Sequence, residues 1–333
     1  MSAREPIWLT EAEVVSLMTL GDAIDALERT LPLESQGAAV NLTKTQVGFN
    51  AHDSLHALGA AVPGAGLVGT KTWAHTEGGA APTLILWDSK TGALRAVVEA
   101  FALGQMRTGG ISGLATRWLA RPDADEMAVI GTGPQAVTQV AAVHAVRPLK
   151  RLRVFSPTAA NRRSFAERMA AQFGFEAVVA ETAEAAAKDA PIVTVVTRAT
   201  APILSARMLA AGTHVNAVGA IVPARIELAR DVFPRCTVVA VDEPATVRNL
   251  SQEFRDYYDG GGGDWADVRP ISAIVAAGAG RPAGADLTLF KAMGMGLSDL
   301  AMGIELLARA ERAGAGRPLP TRERAAPRLQ AAE

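Results

Sequence analysis

Between residues 38 and 101 the apolar positions fall in short runs. LHALGAAV (55–62), LVGTKTWAH (67–75), TLILWDS (83–89) and ALRAVVEA (93–100) are separated by turn pairs such as Pro63-Gly64, Gly78-Gly79 and Thr91-Gly92. Runs of this length, punctuated in this way, predict a mainly antiparallel sheet. Residues 10–32 are spaced differently. Thr10 followed by Glu11 and Glu13 makes a capped helix start, and GDAIDALERTL continues at helical period. From 102 to 120, ALGQMRTGGISGLATRWLA predicts one long helix in spite of Gly109, Gly110 and Gly113. Each glycine costs about 1 kcal/mol relative to alanine. The cluster therefore predicts a neighbour packed very close to that helix.

After the turn RPDADE the two periods alternate. Strands are expected at 127–131, 152–156, 176–180, 192–197, 214–219 and 237–242, and helices at 134–146, 160–173 and 182–189. Such alternation over more than a hundred residues predicts a parallel sheet covered by helices on both faces, so the fold class is α/β. The runs RPISAIVAAGAG and LTLFKAMGMGLSDLAMGIELLARAERAG are expected to close the fold with another long helix. The GGGG at 260–263 predicts a flexible loop, and GRPLPTRERAAPRLQAAE is too polar to pack and predicts a mobile tail.

Composition narrows the function. A chain of 333 residues, 49% hydrophobic, is long enough for two domains, and with 5% aromatics its cores are built from Ala, Val, Leu and Ile. Lys+Arg 33 against Asp+Glu 34 leaves a net charge of −1, so no global field draws it to nucleic acid or to an anionic membrane. Any recognition of an anion has to be local. The single cysteine, Cys236, excludes an intrachain disulfide and fits a reducing cytoplasm. Beside a strand in FPRCTVV it reads as inert core. MSAREPIWLTEAEVVSLM lacks the signal-peptide pattern, and no stretch approaches about 18 uninterrupted apolar residues. A cytoplasmic protein without membrane contact is expected.

The candidate chemistry begins at AVIGTGPQA, residues 128–136. Gly131-Thr132-Gly133-Pro134-Gln135-Ala136 follows an apolar strand and opens a helix, the context in which a Gly-x-Gly pattern carries weight. Gly131 would make the tight turn, Gly133 would admit the pyrophosphate, and Ala136 would allow close helix–strand packing. The phosphates would rest on the positive helix terminus. Pro134 fits, because the first helical position needs no N–H and already has φ near −65°. The second strand ends at Ser156, where a carboxylate would mark NAD. With Ser156, Thr158, Asn161 and Arg162 or Arg163 near a 2′-phosphate, NADP(H) is favoured over NAD(H). The two arginines also read as ordinary solvated helix residues. No His, Cys and Asp cluster has metal spacing, so no metal is expected.

Four segments, GTKTWAH, LGQMRTGGISGLATRWLARPDADEMAVIGTGPQA, THVNAVGAIVPARIEL and LTLFKAMGMGLSDL, together resemble the ornithine cyclodeaminase/mu-crystallin family. Its members include cyclodeaminases, alanine dehydrogenases, ketimine reductases and related imino-acid reductases. The resemblance implies a Rossmann NAD(P)-binding domain (116–297) and an α+β substrate-binding and dimerisation domain with a mainly antiparallel sheet (1–115 with 298–320). Residues 321–333 form the tail. It further implies a homodimer acting on a small imino or amino acid. By the same resemblance Arg107 of QMRTG holds the substrate carboxylate, Lys71 of GTKT contacts the substrate, and Lys44 of NLTKT stands where many members carry a second carboxylate-binding arginine. Thr108 lies near the cofactor phosphates, and Val218, Gly219, Met293 and Gly294 complete the expected cofactor contacts. Independently, Lys71 in an apolar run and Arg107 on a glycine-rich helix need an anionic partner if buried.

One position departs from the pattern. Cyclodeaminases follow AVGA with an aspartate that handles the substrate amine, whereas this chain has Ile221. An isoleucine accepts no proton, so loss of ammonia from ornithine is disfavoured. The resemblance then implies NAD(P)H-dependent reduction of a cyclic ketimine, such as Δ1-pyrroline-2-carboxylate or Δ1-piperideine-2-carboxylate, to the L-amino acid. The alternatives are an amino-acid dehydrogenase or acyclic imine reductase of the alanine or iminosuccinate type, then a cyclodeaminase, or a non-enzymatic NADP(H)-dependent binding protein. His75, four residues past Lys71 on the same strand face, is a candidate proton donor, and the same spacing suits a structural histidine.

Overall fold

The computed structural model describes residues 5–50, 53–320 and 323–329. Two eight-stranded sheets organise the chain, one for each apolar period. The first runs in the order Arg317–Pro318, Ile7–Leu9, Leu94–Glu99, Thr83–Asp88, Leu67–Thr76, Ser54–Val62 and Val40–Gly48, with Gly79–Ala80 paired to the end of Leu67–Thr76. Its pairs are antiparallel except Ile7–Leu9 beside Leu94–Glu99. This is the sheet that the short punctuated runs predict.

The second sheet is parallel throughout: Glu176–Val179, Arg151–Phe155, Glu126–Ile130, Ile192–Val195, His214–Ala217, Leu287–Lys291, Cys236–Val241 and Val268–Pro270. Helices such as Pro134–Val146 and Ala159–Phe173 connect its strands. The fold is therefore α/β, a Rossmann-like unit joined to an α+β unit with a mainly antiparallel sheet. The surprise is Leu287–Lys291. The sequence assigns LTLFK to the run that ends in a helix, but all five residues are buried within the sheet as a strand. Five residues are too few to show a helical period, and burial on both faces decides the strand.

Residues 10–32 hold the capped helix start and the later helical run as separate helices. They form Glu11–Leu17 and Leu20–Thr30, with Pro32–Ser35 after them. The break has a local cause. Thr10 with Glu13 makes one capping box, and Thr19 with Asp22 makes a second that restarts the helix.

The glycine-bearing helix is Phe101–Leu119, and its close neighbours are real. A Cβ on Gly109 would lie 2.6 Å from the Thr138 carbonyl oxygen, and one on Gly113 would lie 2.7 Å from Ile24 Cδ1 and 3.0 Å from the Ala142 carbonyl oxygen. Helices Pro134–Val146 and Leu20–Thr30 thus clamp it from two sides. Gln139 Nε2 donates to the Thr108 carbonyl at 3.1 Å, and Asn216 Nδ2 donates to Thr116 Oγ1 at 3.0 Å, which ties the helix to the parallel sheet.

The last helix, Gly296–Ala313, lies across the first sheet. A Cβ on Gly296 would sit 1.9 Å from the Gly59 carbonyl oxygen, so only glycine lets the helix start against that strand. This contact brings Asp299, one turn further on, beneath Lys71. The segment from Gly316 is not all tail: Arg317–Pro318 pair antiparallel with Ile7–Trp8, because backbone pairing needs no apolar side chains. Residues 321, 322 and 330–333 lie outside the described residues, and 323–329 are exposed without regular structure. No helix among the described residues is long and apolar enough to cross a membrane.

Candidate active site

The Gly131–Ala136 turn has the geometry a dinucleotide needs. Gly131 adopts φ +112°, and a Cβ there would lie 2.4 Å from the Val196 carbonyl oxygen. A Cβ on Gly133 would meet nothing within 4 Å, which leaves open the approach a pyrophosphate would use. Pro134 is the first residue of its helix and Ala136 is fully buried. The residues present therefore fit a nicotinamide dinucleotide at the carboxyl ends of the parallel strands.

Across that crevice Lys71, Arg107 and Lys44 converge. Lys71 is buried on Leu67–Thr76, with Nζ 2.5 Å from Asp299 Oδ1 and 5.3 Å from the centre of the Trp73 ring. Burial outweighs the attraction of Asp299 and pulls the Lys71 ammonium down to about 8, with Arg107 adding to the fall. A lysine in this state gives up a proton near neutral pH. Arg107 Nε stands 3.5 Å from the same Asp299 oxygen and makes no hydrogen bond. Its guanidinium lies over Gly294, whose φ of +92° and lack of a side chain make the room. Asp299 Oδ2 is buried without a hydrogen-bond partner. The site thus presents an unused acceptor beside a proton-bearing lysine and an arginine fork.

Lys44, on the edge strand Val40–Gly48, makes no hydrogen bond or ion pair among the described residues. Burial and Arg107 pull its ammonium down, while Asp242 and Asp299 pull it up. It lines a cleft of about 100 Å³ with Asn41, Glu243, Thr246 and Gly294. Asp242 is fully buried and accepts from the backbone N–H groups of Met293 (2.8 Å), Gly294 (2.6 Å) and Glu243 (2.8 Å), fixing the turn under Arg107. Burial pushes its carboxyl up, and those N–H groups oppose the push.

Glu227 joins the loops that follow two adjacent parallel strands. Its Oε1 accepts from Thr197 N (2.6 Å) and Thr197 Oγ1 (2.9 Å), and its Oε2 from Gly219 N (2.8 Å) and Ala220 N (3.0 Å). Behind it Glu253 accepts from Glu227 N and Leu228 N and pairs with Lys291 Nζ at 2.9 Å. All three side chains are buried. This clamp fixes the two loops at the carboxyl ends of those strands, the side of a parallel sheet on which dinucleotides bind.

The remaining expected residues are placed unevenly. Val218 and Met293 are buried, and Gly219 and Gly294 border the crevice. Thr108, one residue past Arg107, donates its hydroxyl back to the Gly104 carbonyl at 2.8 Å. Thr132 and Gln135 are partly exposed in the turn. Ser156 is buried and Thr158 caps the following helix without a side-chain bond. Arg162 turns inward, donating to the Ser156 carbonyl at 3.1 Å and pairing with Glu181, with its Nε left unpartnered. His75 shares the strand face of Lys71 but lies exposed about 13 Å further along, so the structure does not bring the two together. Ile221 is 37% exposed after the clamped loop. Burial pushes the Cys236 thiol up to about 12, as an inert cysteine requires.

Sequence reasoning missed Asp299, Asp242, Glu227 and His56. His56 stacks on Trp73 with centroids 4.7 Å apart, and its Nε2 meets Ser54 Oγ at 2.7 Å. Asp299 did leave a signal: it is a lone acid among Leu297, Leu300 and Ala301 on an otherwise apolar helix turn. A charge there demands a buried partner.

Comparison with known proteins agrees over most of the chain. A Delta(1)-pyrroline-2-carboxylate reductase of Bacillus cereus is 31% identical over 235 residues, covering 70% of this chain and 72% of that protein. The Thermococcus litoralis Delta(1)-pyrroline-2-carboxylate reductase, solved with NADH and L-proline, superposes with a TM-score of 0.87 at 27% identity, covering 94% and 100% of the two chains. An archaeal alanine dehydrogenase dimer with bound NAD gives 0.86 at 25% identity over 95% and 99%. The model of the ornithine cyclodeaminase/mu-crystallin family matches residues 4–312. With its Gly131 turn, its convergent cations and this likeness along nearly its full length, the chain belongs to the ornithine cyclodeaminase/mu-crystallin family.

Proposed function

We propose that this chain is an NAD(P)H-dependent oxidoreductase of C=N and CH–NH bonds that reduces a cyclic ketimine carboxylate to the L-amino acid. The observation that carries the reading is the buried Lys71–Asp299 pair beside Arg107, whose helix is seated by Gly109 against the helix that the dinucleotide turn opens. The cofactor, when bound, supplies the hydride. Arg107 and Lys44 hold the substrate carboxylate and so aim the C=N carbon at the nicotinamide side of the crevice. Lys71 Nζ gives a proton to the imine nitrogen: its N–H bond breaks as the substrate N–H bond forms, and solvent reprotonates the lysine. Asp299 Oδ1 orients Lys71, while Oδ2 accepts from the nitrogen that becomes the amine. Lys71 serves as donor better than His75, because it is buried against the acceptor carboxylate.

The absence of an acid at 221 supports reduction over ammonia loss. Where Arg107 alone holds the first carboxylate, Lys44, without a partner among the described residues, is left for a second one, which favours one alternative, an acyclic imine with two carboxylates. NADP(H) remains our preferred cofactor: Ser156 sets no carboxylate against a 2′-phosphate, and Arg162 becomes available if the exposed Glu181 turns away. Residues 1–115 with 298–320 would form the substrate and dimerisation domain and 116–297 the Rossmann domain. Exposed Val40, Leu42, Val47, Phe49 and Leu55 on and beside the unpaired edge strand support a homodimer closed along that edge. We place the enzyme in the cytoplasm.

A panel of cyclic ketimines, and of pyruvate or oxaloacetate with ammonia, run with NADPH and NADH in parallel, tests the reading. Fastest turnover of Δ1-pyrroline- or Δ1-piperideine-2-carboxylate is expected, and cofactor consumption with the acyclic substrates alone would overturn it. Arg107→Met removes charged hydrogen bonds worth about 1.5–3 kcal/mol each and should raise the KM for the imine roughly ten- to hundredfold. An unchanged KM would remove Arg107 from the site.

A further inference from the structure

Net charge near zero means that an anion binds only where cations collect without counter-charges. One such place lies away from the crevice. A cleft of about 470 Å³ opens between the end of helix Phe101–Leu119, the turn after it and the loop 280–285. Arg117 and Arg107 are ten residues apart on that helix, about 15 Å. Four guanidiniums line the cleft, from Arg117, Arg121, Arg147 and Arg281, against one lining carboxylate, Asp123.

Two of the four, Arg147 and Arg281, make no ion pair with a carboxylate among the described residues. Arg147 gives its nitrogens to the carbonyls of Arg117, Ala120, Arg121 and Val146, at 2.9–3.3 Å. Arg281 donates to the carbonyls of Leu119, Ala285 and Asp286 and to the Thr288 hydroxyl. Carbonyls satisfy the N–H groups but cancel no net charge, and the end of the helix offsets only about half a charge. Burial and the neighbouring arginines, Arg117 for Arg147 and Arg121 for Arg281, pull both guanidiniums down, and Asp286 opposes the fall at Arg281 only in part. Asp25 and Glu28 hold Arg117, and Asp286 is engaged by Arg235. Arg121 is half-exposed over Gly212, with no hydrogen bond from its side chain among the described residues and only Asp123 nearby, at 3.4 Å.

We propose that this cleft binds a small diphosphate-bearing anion. Arg147 and Arg281 are already locked by backbone bonds, so their charge is placed without loss of side-chain freedom on binding. Arg121 supplies an open fork suited to bidentate phosphate contact. The volume exceeds what a single phosphate fills, and cations on three sides call for oxygens on more than one phosphorus.

The test is calorimetric titration of the full chain with inorganic pyrophosphate. NADH is kept saturating, so that the Gly131 turn is filled, and sodium chloride at matched ionic strength serves as control. Saturable binding at one site per chain is expected. It should weaken at least tenfold in Arg121→Glu, tighten severalfold in Asp123→Asn, and be unchanged in Arg107→Met. ADP run alongside identifies the source: binding of both ligands supports a nucleotide-accepting cleft, and binding of pyrophosphate alone supports a site for the inorganic ion. No saturable binding, or binding indifferent to both Arg121→Glu and Asp123→Asn, would overturn the proposal. Citrate binding as tightly as pyrophosphate would overturn the phosphate assignment. The readout is binding rather than turnover, so its failure leaves the reductase reading standing.

Discussion

Lys71→Met should lower kcat for imine reduction by roughly two to four orders of magnitude, the range set by loss of a positioned proton donor. NADH affinity should stay within a few-fold, since Lys71 touches the substrate side of the crevice. The wild-type pH profile carries the same information. With its ammonium pulled down to about 8, Lys71 holds its proton below that pH and has lost it above. Reduction needs the charged form and should fall as pH rises through about 8. Amino-acid oxidation needs the neutral form and should rise over the same interval. Asp299→Asn removes the attraction that supports the ammonium, so the break should move to lower pH. Lys71→Arg should abolish it, because a guanidinium keeps its proton across the range. Steady-state kcat measured in both directions checks this, and a profile flat through pH 8 in wild type would remove Lys71 as the donor.

The second large effect is on stability. Glu227→Ala strands the N–H groups of Thr197, Gly219 and Ala220 and weakens the field around the Lys291–Glu253 pair. Removing one member of a buried, hydrogen-bonded charge network costs about 3–5 kcal/mol. The urea midpoint should fall accordingly at unchanged m-value. Glu227→Gln should lose less stability, because it keeps the volume and one acceptor. Its amide nitrogen nevertheless faces donors, so the two loops should still separate. KM for NADH should then rise more than KM for the imine. Equal rises would make Glu227 a general prop for the fold rather than the clamp of the cofactor-side loops.

What could be read from sequence was mostly local. The Gly131–Ala136 turn, Pro134 at the first helical position, the Thr10 cap and the crowding around Gly109 and Gly113 each rest on residues a few positions apart. Lys71 and Arg107 were singled out by the family resemblance, and the need of a buried cation for an anionic partner supported the choice. Their counter-charge was not legible: Asp299 lies 228 positions from Lys71, and only the seating of Gly296 on Gly59 brings it there. Glu227 was hidden for the same reason, since its partners follow two different strands. The strand Leu287–Lys291 was misread because five residues are too few to show a helical period. Arg162 read as a phosphate ligand or a solvated residue, and its burial and pairing with Glu181 overturn only the solvated reading.

The position of Leu287–Lys291 also dictates an order of events at the ribosome. That strand fills the gap between His214–Ala217 and Cys236–Val241, yet it is made after both. At about 5–20 residues per second, the nascent sheet carries an open slot with two unpaired strand edges for several seconds. Asp299 emerges later still, so Lys71 and Arg107 wait as uncompensated charges until the last helix docks. The candidate site is thus completed only after helix Gly296–Ala313 has been made. A chain released before residue 291 would expose sticky edges instead of folding partway to an active form.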